Sequence, residues 1–163
     1  MKSTSPTPVS TPETTVRLAT ASEYASLAAL YETWGYRAGI AAADVVYVAE
    51  RSEAVVGIVR RSREEGLTML RGMYVSPSAR RTRVGTLLLF ALVRDLGEED
   101  CHCIPFAHLT PFYGRAGFTV MPEAIAPAPL VARVTRYRLE GHEVLIMHRA
   151  ARAAVSTTPA SVA

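Results

Sequence analysis

Apolar and polar positions alternate along most of this chain with a period of two, and helical periods interrupt the alternation. Val16 and Leu18 alternate with Arg17 and Ala19, which predicts a short first strand. Thr20 and Glu23 form a capping box that opens a helix with Tyr24, Leu27, Ala28, Leu30 and Tyr31 on its apolar face, closed by Gly35. Residues 36–43 read as a loop or a second short helix. Val45–Glu50 and Ala54–Arg61 are β-rich runs joined at Arg51–Glu53 as a hairpin. Glu64–Gly66 makes a second turn, and Leu67–Val75 is a further strand that Pro77 stops.

From Arg83 to Leu96 the pattern turns helical and is apolar all round, which implies a deeply packed helix capped by Gly97. Cys101–Ala107 reads as a strand, Thr110–Ala116 as a short helix ending at Gly117, and Phe118–Met121 as a strand. The proline-rich stretch 122–129 is a loop leading to a helix at 130–139 and a last strand, Val144–His148. The order β-α-βββ-α-β-α-β-α-β defines a mixed α+β sheet with helices on its faces. Residues 1–15 are nearly all Ser, Thr and Pro and read as a disordered leader, and 151–163 as a flexible tail. The folded unit is then a single domain over 16–150.

Composition narrows the function classes. The chain has 163 residues, 49% hydrophobic and 20% charged, with a formal charge of +3. That suits one globular domain and falls short of a strongly basic nucleic-acid binder. Lys2 is the only lysine, and every other basic residue is arginine. The longest apolar stretch, Val84–Val93, is interrupted by Gly85 and Thr86, well short of the roughly 18 residues a membrane span needs. No apolar run follows Lys2, so no secretory signal is expected, and the reading is cytoplasmic. Cys101 and Cys103 sit two apart on one strand, where their Cβ atoms would be about 6–7 Å apart, too far for a disulfide. His102 faces away from both, so the trio is not expected to hold a metal.

The chemistry concentrates between Met73 and Leu89, where a strand ends, an arginine-rich loop follows and a helix begins. Such a junction aims backbone N–H groups at one spot at the positive end of a helix and so makes an anion site. Gly85 allows close approach to the backbone, Thr86 offers a hydroxyl, and Arg80, Arg81 and Arg83 add charge. No dinucleotide, Walker or nucleophile-elbow motif is present.

The run Val75-x-Pro77-x-x-Arg80-x-x-x-x-Gly85-x-x-Leu88 resembles the acyl-CoA signature of the GNAT superfamily, the acetyl-CoA-dependent N-acetyltransferases. About thirty residues on, Thr110–Phe118 is similar to that family's second landmark, a Phe-Tyr-x-x-x-Gly-Phe stretch. The resemblance spans about residues 16–149. It implies a GNAT-like fold, α+β with a mostly antiparallel central sheet of six or seven strands flanked by helices. It implies transfer of an acetyl group from acetyl-CoA, with no metal, to the primary amine of a small molecule or protein. Met73, Tyr74 and Val75 would run beside the pantetheine arm, and Arg80, Arg81, Thr82, Arg83, Val84, Gly85 and Thr86 would hold the phosphates. A bulge in the fourth strand would polarise the thioester carbonyl. Tyr113 matches the tyrosine that protonates the leaving thiolate, and Trp34 and Tyr36, with Glu32 and Asp44 nearby, fall where the family binds its acceptor. Many relatives carry a glutamate near the position of Arg71; here His108 is the candidate base, with Glu143 or a water relay as the other routes. Arg81 and Arg83 stand where relatives often carry glycine, so a loop needing φ > 0 at position 83 would strain its backbone.

Two rivals follow from the same residues. Arg83 and the missing glutamate would suit a CoA-binding pseudoenzyme or sensor. The arginine cluster alone would suit a nucleic-acid or acidic-partner module, against which stand the near-balanced charge elsewhere and the apolar helix behind the cluster. A homodimer is compatible with the resemblance.

Overall fold

The computed structural model describes residues 12–151. Of the expected leader only 12–15 fall within it, and Thr14 and Thr15 already belong to the first strand; the expected tail lies outside the described residues apart from Ala151. Seven strands form one sheet: β1 (Thr14–Leu18), β2 (Val45–Arg51), β3 (Ala54–Glu64), β4 (Leu67–Val75), β5 (Cys101–Cys103), β6 (Thr119–Val120) and β7 (Met147–Arg149). Four helices flank it: α1 (Tyr24–Thr33), α2 (Val84–Leu96), α3 (Thr110–Gly114) and α4 (Ala128–Leu139). The strand order is β1-β2-β3-β4-β5-β7-β6, and every pair is antiparallel except β4 with β5. The mixed α+β sheet and its order of elements are as the residue pattern implies.

Because side chains alternate across a strand, the sheet separates two apolar layers. Tyr47, Ala49, Val59 and Leu70 pack with Val84, Leu88, Leu89 and Leu92 of α2, and Cys101, Cys103 and Tyr113 join them. On the opposite face Val46, Val48 and Ile58 meet Leu27 and Tyr31 of α1. Farther along that face Met69 and Ile146 meet Leu130 and Val134 of α4. The capping box at Thr20 and Glu23 is formed, although the first turn, Ala21–Glu23, is a 3-10 helix before α1 begins.

Several boundaries differ from the pattern's expectation. β3 runs on to Glu64, because Ser62 to Glu64 still pair with Leu67 to Met69 of β4. β5 stops after three residues, where the alternation predicted seven. Pro105 has no N–H to give a ladder, and Phe106 turns aside to bridge Val144. α4 starts inside the expected loop, at Ala128, since proline fits the first turn of a helix, where its missing N–H is not needed. Cys101 and Cys103 are buried free thiols on the α2 face, while His102 stacks on His148 at 4.5 Å. Among the described residues no cluster of three or more His, Cys, Asp or Glu is placed to share a metal ion. No helix there is long and apolar enough to cross a membrane.

One buried ion pair ties the loop after α1 to the sheet. Asp44 accepts from Arg60 Nη1 at 2.6 Å and from the Ala41 N–H at 2.9 Å, with both side chains almost wholly buried. Removing one partner strands a buried charge, so Asp44→Asn is expected to lower unfolding stability by about 3 kcal/mol in urea titrations.

Candidate active site

The site begins where two strands part. β4 and β5 lie side by side in parallel, yet their pairing is confined to Met69 opposite His102. Beyond that point β5 has ended, and the β4 edge from Leu70 to Val75 has no strand beside it. A cavity of about 400 Å³ occupies the gap. Its lining draws on all three apolar clusters: Leu70, Met73, Cys103 and Tyr113 from the α2 side, Tyr36 from the α1 side, and Tyr137 and Val144 from the α4 side. The cavity therefore passes between the strands from one face of the sheet to the other.

β4 is bulged beside the cavity. Ile58 faces Tyr74 and Arg60 faces Arg71, so Gly72 and Met73 together stand against Val59 alone. Gly72 has φ of +61°, and a Cβ there would lie 2.7 Å from the Tyr31 hydroxyl. That hydroxyl donates to the Gly72 carbonyl at 2.6 Å, so α1 holds the bulge in place. The resemblance implied a bulge in this strand, and the lone glycine inside the strand pattern is the local mark that could have placed it.

Tyr113, on α3, lines the cavity and is nearly buried. Phe112 and Phe118 meet its ring edge to face, with centroids 4.9 and 6.1 Å away. Burial pushes its phenol above the ordinary tyrosine range, which keeps the hydroxyl protonated and able to donate.

The arginine loop lies at the start of α2. The amides of Val84, Gly85 and Thr86 precede the first intrahelical bond, from Leu87 N–H to the Arg83 carbonyl at 3.0 Å, and are the donors a helix start leaves free. Arg81 and Arg83 both adopt the left-handed conformation, with φ of +62° and +67°. The backbone thus keeps the shape that glycine would favour and carries arginine in it. Thr82 is exposed, its hydroxyl donating to the Ala79 carbonyl at 2.6 Å and accepting from Arg51 at 3.0 Å. Arg80 turns the other way: it donates to the Tyr74 hydroxyl at 3.0 Å and to the Val75 carbonyl at 3.3 Å, with its guanidinium over the Tyr74 ring. Gly85 is bordered by Phe112 and Val75.

The candidate acceptor residues divide. Tyr36 lines the cavity, whereas Trp34 stacks on Tyr74 at 5.5 Å and braces the end of α1. Asp44 is consumed by Arg60, and Glu32 is exposed. His108 is exposed on the turn Ala107–Leu109, stacked on Phe106 and outside the cavity lining. Glu143 is also outside that lining, while Glu140, His142 and Arg71 belong to it. The pattern missed Glu140 and His142, whose only mark in the sequence is a helix end followed by Gly141.

Comparison with known proteins gives this geometry a family. Residues 42–120 match the family model described as an acetyltransferase (GNAT) domain. That GNAT match takes in β2 to β6, α2, the arginine loop and Tyr113. No curated protein matches the sequence. Among solved structures it is similar to an N-acetylglutamate synthase from Neisseria gonorrhoeae complexed with coenzyme A and N-acetyl-glutamate (18% identity, TM-score 0.61). That match covers 86% of this chain but 36% of the other, so the chain spans about a third of that protein's length. It is similar to a Mycobacterium tuberculosis protein in complex with CoA (20% identity, TM-score 0.59, 85% and 99% of the two chains). It is also similar to Escherichia coli ElaA (14% identity, TM-score 0.61, 85% and 99%). These likenesses establish the shared fold.

The two left-handed arginines yield a test. Glycine at position 83 removes the clash of Cβ with the backbone but loses more chain entropy on folding, so Arg83→Gly is expected to raise stability by about 1 kcal/mol in urea titrations.

Proposed function

We propose that this chain is an N-acetyltransferase that moves an acetyl group from acetyl-CoA directly to a primary amine. The observation that carries the reading is the through-going cavity, with the β4 bulge and Tyr113 in its lining. The free β4 edge suits the amides of a pantetheine arm, which would hydrogen-bond to Met73 and Val75 as a neighbouring strand does. The amides of Val84, Gly85 and Thr86, with Arg81 and Arg83 beside them, suit the pyrophosphate. Two of the similar structures hold coenzyme A, which supports the same co-substrate here.

In this reading the acceptor enters from the face that carries Tyr36, Tyr137, Glu140 and His142. Its nitrogen attacks the thioester carbonyl carbon, and an N–H of the bulge stabilises the oxyanion. The C–S bond then breaks, and Tyr113 donates its proton to the sulfur. The amine's proton leaves towards His142, the imidazole in the lining, rather than towards His108. The buried free thiols suit a reducing, cytoplasmic setting.

Acetyl-CoA at about a hundred times its Kd is expected to raise the unfolding midpoint by roughly 5–10 °C. No shift would remove the CoA readings, the pseudoenzyme included. Tyr113→Phe is expected to keep that shift and lower kcat about 100-fold. An unchanged turnover number would remove the acid role.

A further inference from the structure

The arginine at the acceptor end of the cavity, Arg71, is poorly paired within the protein. Arg60 and Arg71 stand directly opposite one another across β3 and β4, an arrangement that repels. Arg60 is neutralised by Asp44 at 2.6 Å. Arg71 has a weaker partner: its Nη1 lies 3.4 Å from Glu64, which is committed more closely to Arg133 of α4 at 2.7 Å. These side chains are at most about a quarter exposed, so three guanidiniums share two carboxylates in a poorly hydrated place. Of the three arginines, Arg71 is the one in the cavity lining. Glu140, the acid that shares this lining, makes no ion pair among the described residues. An unbalanced charge in such surroundings is costly unless an anion visits it.

We propose that Arg71 is a specificity-determining residue, and that the acceptor is a small amine bearing a carboxylate, an amino acid in its free form, whose carboxylate docks on the Arg71 guanidinium. A single under-compensated guanidinium matches a monoanion better than a phosphate dianion. The planar guanidinium fork suits a carboxylate held by two parallel hydrogen bonds. Glu140 in the same lining supplies a partner for the ammonium group of the same molecule before it loses its proton. An arginine at this place would also disfavour polyamines and other purely cationic acceptors, which meet like charge there.

The inference rests on the acyl-transfer reading above, and its test separates the two. Thiol release from acetyl-CoA is measured with the free L-amino acids and with their α-amides, for the wild type, Arg71→Met and Arg71→Lys. The wild type is expected to favour the best free acid over its amide by about 100-fold or more in kcat/KM, because the amide leaves the guanidinium unpaired. Arg71→Met, close in size and uncharged, should remove that preference, mainly through KM. Arg71→Lys should restore part of it. Calorimetry on the CoA-saturated protein, with N-acetyl amino acids and their amides as probes, should show the same preference in binding and the same dependence on Arg71. Amides equal to acids in both measurements would overturn the inference, as would an Arg71→Met variant that keeps the preference. If instead acetyl-CoA itself fails to bind the wild type, it is the acyl-transfer reading that falls.

Discussion

Everything in this molecule that bears on chemistry depends on the failure of two neighbouring strands to stay paired. A parallel ladder between β4 and β5 would close the sheet and leave no interior space. Pairing is instead confined to Met69 and His102, and each side of the gap has its own cause. On one side Pro105 cannot donate to a ladder and Phe106 is drawn to Val144. On the other, Gly72 buckles β4 and is held buckled by the hydroxyl of Tyr31. On one face α2 packs against β2 and β3 and against Cys101 and Cys103 alike, and on the other α1 covers β2 and β3 while α4 covers Met69 and Ile146, so the opening is held from both flanks.

Arginine is used here in three physically different ways. Arg60, buried with Asp44, fastens a loop and contributes little beyond that. Arg80 is a strut, lying flat over Tyr74 and bonded to its hydroxyl. Arg81 and Arg83 occupy backbone conformations that glycine would hold more easily, a strain of the kind that persists where a local shape is over-determined by its surroundings. The guanidinium's fixed charge is the common property, but the surroundings decide what that charge does.

Most of the architecture was legible from periodicity. The order of strands and helices follows from where the period of two gives way to helical spacing, and the capping box and glycine stops mark the turns. Fine boundaries were less legible, because they depend on partners. Ser62 to Glu64 count as strand only because Leu67 to Met69 lie opposite, and β5 is short because Phe106 finds Val144, a residue far along the chain. At the site, the arginine loop was visible as a strand–loop–helix junction, and Tyr113 was singled out by the family resemblance. The direction of each side chain was not legible. The family resemblance placed Arg80 among the phosphate contacts, where the fold turns it onto Tyr74, and placed Trp34 with Tyr36, where only Tyr36 reaches the cavity. Glu140 and His142 come from the end of a helix whose docking is a matter of tertiary packing, and no local pattern announces them.

The unpaired edge of β4 also bears on solubility. A row of unsatisfied backbone donors and acceptors at the rim of a sheet invites pairing with another chain and is a common start for aggregation. Here that row borders a cleft, with Cys103, Pro105, Phe106 and Tyr113 in the same lining. The outward-facing rims are the five-residue β1 and the two-residue β6, and β1 carries the ion-paired Arg17. The protein can therefore keep an open hydrogen-bonding edge recessed in a cleft while offering other chains little to extend.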